Sequence, residues 1–359
     1  MNAAFFHGPN DIKLEKLDIK KEPNGQFKLL KVLSCSVCSY DVRTFRTGSF
    51  KVKPPVILGH EICAEIVNNY DGPKYSIKSG TRVTIYPIIP CLNCWYCDSN
   101  NFNLCMSLRE IGSTLNGGFA EYILIPSKVF EIGGIVPVPD SVSNEEASLI
   151  EPLACCINGI NQIKPMNFDS IIIIGDGPIG LMQLMLLKRF SPQIDVTVIG
   201  KITHRLETAK RLGANRVITF HEHDQLDSYK KLIEIDGSIS PNLIFVSNNN
   251  PSSLTLAFYL ANKNGKVIIF SGIKNIKEHS FGKSFNIDPN LIHYSQISVY
   301  GSFSSNPDNL KEAMKLVYEG EINLKNLITD TFSLDSIGDA LKTAESFKGL
   351  KSVINRFDF

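Results

Sequence analysis

"SIIIIGDGPIGLMQLMLL", residues 170 to 187, decides how the rest of this chain is read. Its length and apolarity approach those of a membrane span. Asp176, two glycines and Pro178 interrupt it, and a charge among helix breakers is costly in hydrocarbon. The stretch reads better as a buried strand, a tight turn and a buried helix over 178–190. Gly175, Gly177 and Gly180 then form a G-x-G-x-x-G pattern after a strand and at the head of a helix, the context that dinucleotide binding requires. Glycines there permit the tight turn, the approach of a pyrophosphate and close helix packing. Pro178 and Ile179 open the helix whose N-terminus would face the phosphates. A strand–turn–helix that binds nothing has the same outline.

Outward from this stretch, apolar strands alternate with helical periods: VTVIG, a helix over 203–212, RVITF, NLIFVS, a helix over 252–263, KVIIFSG and ISVYGSF. Alternation of this kind means βαβ units and a parallel, doubly wound sheet. The first 150 residues have another texture. FKLLKVLSC, EICAEIVNNY, TRVTIYPII and GFAEYILIP are short strands between Gly, Pro and Asn, and no long helical period precedes NEEASLIEPLACCINGI. The tail carries two amphipathic helices and a last strand, KSVINRF, expected to return to the first domain. The expected fold is α/β: a β-rich domain around a doubly wound insert.

With 359 residues the chain can bury two cores. Its formal net charge of +1 offers no field for nucleic acid. The N-terminus lacks the basic and apolar regions of a secretion signal, so the expected location is the cytoplasm and no membrane contact is expected. Nine cysteines in a reducing compartment then suggest metal ligation before disulfides.

"CLNCWYCDSNNFNLC" spaces Cys91, Cys94, Cys97 and Cys105 as C-x2-C-x2-C-x7-C. Four thiolates in one loop can close a tetrahedron around zinc, and a filled tetrahedron is structural. A disulfide pair and an iron–sulfur cluster are the alternatives, although cluster-binding runs use other spacings. Scattered elsewhere are Cys38, His60, Glu61 and Glu151. Each alone reads as an ordinary core or surface residue. Together they offer sulfur, nitrogen and oxygen donors, the mixed set of a catalytic zinc with an open position. Asp41 could orient His60 from behind.

With GHE at 59–61, the four-cysteine lobe, GGFAEY at 117–122, EP at 151–152 and GDGPIG at 175–180, the chain resembles the zinc-dependent medium-chain dehydrogenases, in the branch of sorbitol, threonine and glucose dehydrogenases. The resemblance runs nearly end to end. It implies a GroES-like catalytic domain over 1–152 and 304–359, with the zinc lobe at about 88–108, and a Rossmann domain over 153–303. It implies two zincs per chain, with Cys38 and His60 as catalytic ligands and Glu61 and Glu151 as alternating ones. A cysteine often stands where Glu151 does, and Cys155 and Cys156 are nearby. It also implies Lewis-acid activation of a substrate hydroxyl and hydride transfer to nicotinamide, Thr44, Phe45 and Phe119 as substrate contacts, and a homo-oligomer, dimer or tetramer.

Two features depart from the family. The proton relay there begins at a Ser or Thr two residues after the catalytic cysteine, and here that position is Tyr40. Arg43 stands where a later relay residue is often His; it could pair with a phosphate or carboxylate, or simply be solvated. The second nucleotide strand, DVTVIGKITHR, should end on an acid that holds the adenosine ribose. It ends on Gly200. Glycine there would leave room for a 2′-phosphate, and Lys201, His204 and Arg205 would supply cations for it. NADP in preference to NAD is therefore expected. A zinc-dependent oxidoreductase acting on a secondary or anomeric hydroxyl of a polyol or sugar follows as the expected function. The alternatives are a threonine-type dehydrogenase using NAD and a non-catalytic zinc- and nucleotide-binding relative.

Overall fold

The computed structural model describes residues 1–18, 26–73, 75–163, 170–221, 241–273, 277–279, 282–284 and 287–357. They divide into two compact units, Met1–Ala154 with Ser304–Phe359, and Cys155–Phe303.

The first unit is built on a mixed sheet. Its strands lie in the order Ile135–Pro137, Arg82–Ile85, Glu61–Ile66, Phe27–Ser36, Lys351–Arg356 and Ile328–Ser333, with Tyr122–Pro126 pairing the start of Phe27–Ser36. Asn2–Gly8, Asp11–Lys16 and Val56–Ile57 form a smaller sheet. The last strand of the chain lies beside Phe27–Ser36, pairing Val353 with Ser36. Ser36 in turn pairs with Glu61 on its other side. This register brings three distant segments to one place. The strand Glu61–Ile66 is almost wholly buried, so its apolar residues Ile62, Cys63, Ala64 and Ile66 fix it in the core.

A helix, Ser39–Thr47, follows directly on Phe27–Ser36, where the sequence pattern showed none. Only Asp41, Thr44 and Phe45 are buried along it, at positions i, i+3 and i+4. Two of those three are polar, so hydrophobic periodicity could not mark it. Cys38 caps this helix. Its backbone N–H donates to Asp41 Oδ2 at 2.9 Å, and the Tyr40 N–H reaches Cys38 Sγ at 3.5 Å. Further on, the helical period at NEEASLIEPLACCINGI resolves into two helices, Asn144–Ser148 and Ile150–Asn161. Ser143 caps the first through a reciprocal capping box with Glu146.

The second unit is a six-stranded parallel sheet. The strand order is Arg216–Thr219, Asp195–Gly200, Ser170–Ile174, Leu243–Val246, Lys266–Ile269 and Ser298–Gly301. That is the doubly wound order in which the chain reverses direction beside its first strand, where such folds bind nucleotides. Ile171 to Ile174 are at most 1% exposed, as strands covered on both faces must be. Ile172, Ile174, Ile199, Ile244, Val246 and Val267 share one core with Leu256 and Phe258. Emptying any of the isoleucine sites to alanine would cost about 2–5 kcal/mol. Helix Pro178–Phe190 starts at the predicted proline, with Gly177 at its N-cap. Among the described residues, no helix is long and apolar enough to cross a membrane.

Candidate functional site

The four cysteines of the loop at 91–105 converge, with Sγ atoms all within 4.8 Å of one another. Cys94 and Cys97 are 3.6 Å apart, and Cys91 and Cys97 are 3.9 Å apart. Four sulfurs held at zinc–sulfur bond length sit about 3.8 Å from each other, so the spacing fits that ion. All nine cysteines are free thiols in the structure. The loop treats its thiols unequally, and Cys91 is raised along with Cys97. The Met106 N–H, then that of Cys97, lowers the Cys94 pKa to about 6, while burial pushes Cys97 up to about 12. The donor set is closed on itself.

The second donor set is assembled from separate elements. Cys38 comes from the helix cap, and His60 and Glu61 from the entry into a strand, with ligand atoms within 4.8 Å. Gly59 makes this entry possible. Its φ is +91°, and a Cβ there would meet Cys35 Sγ at 2.8 Å and the Phe119 ring at 3.0 Å. Asp41, fully buried, accepts from the Gly59 N–H at 3.2 Å and lies 3.7 Å from His60 Nδ1. It stands behind the imidazole, beyond direct hydrogen-bond distance but on the side where carboxylates commonly sit for metal-bound histidines. Burial raises the Asp41 pKa, and the charge of His60 draws it part of the way back. For His60, burial acts downward, but Cys38, Asp41 and Glu151 outweigh it and raise the pKa well above normal. The same negative surroundings would attract a divalent cation. One thiolate, one imidazole and one carboxylate, with Cys38 and His60 only partly buried, make a donor set that fits zinc with a position left for another ligand. Glu151, 5% exposed in the first turn of its helix, stands outside the three-donor group but acts on His60.

Glu61 is already engaged. Its Oε2 accepts from the Ser36 hydroxyl and pairs with the ammonium of Lys351. Lys351 is 4% exposed and also donates to the Val37 carbonyl at 3.3 Å. Burial alone would lower its pKa; Glu61, Cys38 and Glu151 reverse that and raise it. The Glu61 carboxylate is thus held by a hydroxyl and an ammonium while it lies among the three candidate metal donors.

Tyr40 flanks His60 edge-on, with ring centroids 6.1 Å apart. Its hydroxyl shares hydrogen bonds with Ser49 Oγ at 3.1 Å and Ser113 Oγ at 3.2 Å. The Arg43 guanidinium stacks over the Tyr40 ring at 5.4 Å. Thr44, Phe45 and Phe119 differ from expectation. They are 0%, 5% and 0% exposed, and Phe119 lies against Gly59. Side chains with so little free surface form the floor beneath the site and have almost nothing to offer a substrate.

In the second unit, Gly175 and Gly180 are tightly enclosed. A Cβ on Gly175 would lie 2.9 Å from the Ser247 carbonyl oxygen, and one on Gly180 would lie 2.0 Å from the Gly175 oxygen. A Cβ on Gly177 would meet nothing nearer than Arg205 at 3.9 Å, so backbone at the helix head remains approachable. This fits a pyrophosphate. The end of the second strand corrects the sequence reading. The space left by Gly200 is filled: a Cβ there would lie 2.4 Å from both Cβ and Oδ2 of Asp176. That carboxylate accepts from the backbone N–H groups of Lys201 and Ile202, each at 2.7 Å. Nor do the cations converge as expected. Arg205 is 5% exposed, its pKa lowered by burial and partly restored by Asp176. The Lys201 ammonium lies over the Phe220 ring at 5.4 Å, and His204 is exposed.

Comparison with known proteins gives this geometry a lineage. Residues 26–140 match the family model "Alcohol dehydrogenase GroES-like domain", and residues 178–319 match "Zinc-binding dehydrogenase". A sorbitol dehydrogenase of Bacillus subtilis (strain 168) is 30% identical over 353 residues, covering 97% of this chain and 94% of that protein. The chain belongs to the zinc-dependent medium-chain alcohol and polyol dehydrogenases. Another family member, a D-arabitol-phosphate dehydrogenase of Enterococcus avium, is 30% identical over 91% of this chain and 89% of its own. Among solved structures, an Escherichia coli CFT073 alcohol dehydrogenase complexed with NADH aligns with a TM-score of 0.86 at 25% identity, covering 99% of both chains. A zinc-binding dehydrogenase of Sinorhizobium meliloti 1021 bound to NADP aligns at 0.84 and 26%, covering 99% of this chain and 98% of that one.

For this dehydrogenase, sequence reasoning missed Lys351, Ser36, Ser49, Ser113 and the position of Asp176. A lysine at the start of an otherwise apolar strand was a usable signal for Lys351. Asp176 was visible as well: an acid inside a loop meant to cradle phosphate is out of place unless it is turned aside.

Proposed function

We propose that the protein moves hydride between a secondary or anomeric hydroxyl of a polyol or sugar, or the matching carbonyl, and a nicotinamide adenine dinucleotide. The observation that carries this reading is the convergence of Cys38, His60 and Glu61 from separate segments, backed by buried Asp41. Cys38 and His60 would be the constant ligands of a catalytic zinc, and Glu61 and Glu151 the carboxylates that alternate with it. Cys91, Cys94, Cys97 and Cys105 would hold a second, structural zinc. A catalytic zinc supplies Lewis-acid polarisation of a substrate oxygen, and the dinucleotide supplies the hydride acceptor.

The chain's own groups do the rest. Asp41 would orient the imidazole of His60 from behind, its carboxylate 3.7 Å from Nδ1. Lys351 holds Glu61 back with an ion pair, so that carboxylate can leave or rejoin the donor set without being stranded as a buried, unpaired charge. The Tyr40 hydroxyl holds a proton at Oη and can pass it to Ser49 Oγ, which is partly exposed. Gly175, Gly177, Pro178, Ile179 and Gly180 would seat the pyrophosphate. The NADP preference expected from Gly200 now has to contend with Asp176. The edge strand Ser298–Gly301, with Val299 43% and nearby Phe303 46% exposed, supports a homo-oligomer formed through that edge. Nine free thiols suit the cytoplasm.

Zinc content per chain, combined with coenzyme absorbance on a panel of polyols, aldoses and amino alcohols, tests the reading. Two zincs and turnover of polyols or sugars are expected. One zinc without turnover would leave a non-catalytic relative, and turnover confined to amino alcohols would indicate a threonine-type enzyme.

A further inference from the structure

We propose that Asp176, from the glycine-rich loop, has taken over the task of the missing acid at the end of the second strand, and that it directs the protein to NAD over NADP. The proposal rests on the coenzyme-binding reading above.

The geometry is one of substitution in space. In dinucleotide folds the acid at the end of the second strand accepts hydrogen bonds from the adenosine ribose hydroxyls. Here that position is Gly200, and a side chain on it would overlap Asp176, whose Cβ, Cγ and Oδ2 lie 2.4–2.5 Å from the Cβ it would have. The carboxylate therefore stands almost where a residue-200 acid would begin, although it arrives from a loop 24 residues earlier in the chain. Asp176 and Gly200 exclude each other's side chains, so glycine at 200 is what allows the loop acid to turn this way.

The hydrogen bonds of Asp176 serve the same end. Oδ2 accepts from the N–H groups of both Lys201 and Ile202 at 2.7 Å. Two hydrogen bonds of that length hold the carboxylate in one place. Among the described residues no donor reaches Oδ1, and Asp176 is partly exposed, so one acceptor oxygen remains for a ribose hydroxyl. A 2′-phosphate would find the opposite. The two backbone donors that could hold it are already used, and a negative charge sits beside them. Arg205 is buried where it feels Asp176, and the ammonium of Lys201 is drawn over Phe220. Of the three cations that the sequence placed here, only His204 stands exposed without a partner named above.

Binding separates this from turnover. The fluorescence of NADH and NADPH on titration with the zinc-loaded, full-length protein gives a dissociation constant for each. Wild type should bind NADH at least about tenfold more tightly than NADPH, a difference of about 1.4 kcal/mol. Asp176→Ala should shrink that ratio about tenfold by weakening NADH. Gly200→Asp alone should lower the melting temperature through overlap with Asp176. Asp176→Gly with Gly200→Asp should regain both stability and NADH preference, which guards against a variant that merely folds poorly. Tighter NADPH binding by wild type, or an unchanged ratio in Asp176→Ala, overturns the proposal. If wild type binds neither coenzyme, the coenzyme reading of the glycine loop falls, and this proposal falls with it.

Discussion

The two thiol-containing donor sets of the first unit achieve convergence by opposite means. The Cys91–Cys105 loop contains all its donors within one short segment, with sulfur spacings of 3.6–3.9 Å among the closest pairs. The Cys38–His60–Glu61 set depends on sheet register, a helix cap and the last strand of the chain. A local set can be closed by its own ion and needs little else. A set gathered from afar needs surroundings that hold it when no ion does, and here these are Asp41, Ser36 and Lys351. The difference teaches that donors close in sequence converge by local spacing, whereas the gathered set needs an ion pair to hold its buried carboxylate.

Four variants test that contrast, beginning with the largest effect. Cys97→Ser should release one zinc and unfold the lobe, since binding of a structural zinc contributes on the order of 10 kcal/mol to local folding. Limited proteolysis should cut near residues 91–105, and metal analysis should find one equivalent fewer. A lobe that stays intact with three thiolates would break the contrast.

Cys38→Ser should leave the melting temperature close to wild type and reduce kcat by at least about 1,000-fold, the scale of losing several kcal/mol of Lewis-acid stabilisation. Retained activity would remove Cys38 from the metal site.

Lys351→Met leaves Glu61 as a buried carboxylate without its ammonium. Breaking such a pair costs about 3–5 kcal/mol. Urea unfolding of the zinc-free protein should show a loss of that order, and added zinc should recover part of it by engaging Glu61. Equal losses with and without zinc would mean that Glu61 is structural only.

Tyr40→Phe keeps the ring beside His60 and removes the hydroxyl shared with Ser49 and Ser113. A drop of up to about 100-fold in kcat, with KM nearly unchanged and an altered pH profile, is expected for a lost proton carrier. An unchanged pH profile would show that protons leave by another route.

Legibility in the sequence followed the same division between local and gathered. The convergence of the four thiols could be read, because four cysteines at fixed short spacings have few other arrangements. The parallel sheet could be read from its isoleucine-rich strands, and helix Pro178–Phe190 matched to its ends. The helix Ser39–Thr47 could not, since its buried face is Asp41, Thr44 and Phe45. The burial of Thr44, Phe45 and Phe119 was not legible for a related reason: nothing in a sequence says whether a residue near a site faces the site or the packing beneath it.

What the sequence by itself determined is therefore whatever depends on neighbours in the chain: strand and helix periods, the glycine loop, the four-thiol spacing, and the absence of an acid at residue 200. Only the tertiary structure decided what fills the space that such an absence leaves. Gly200 looked like room for a phosphate, and it is room taken by Asp176. Glu61 looked like a ligand, and the structure pairs it with Lys351, 290 residues away. The physical reason is the same in both cases. Electrostatic and steric contacts act through a few ångströms of space, and the residues that meet across that space are chosen by the register of strands and the turn of a loop rather than by their order in the chain.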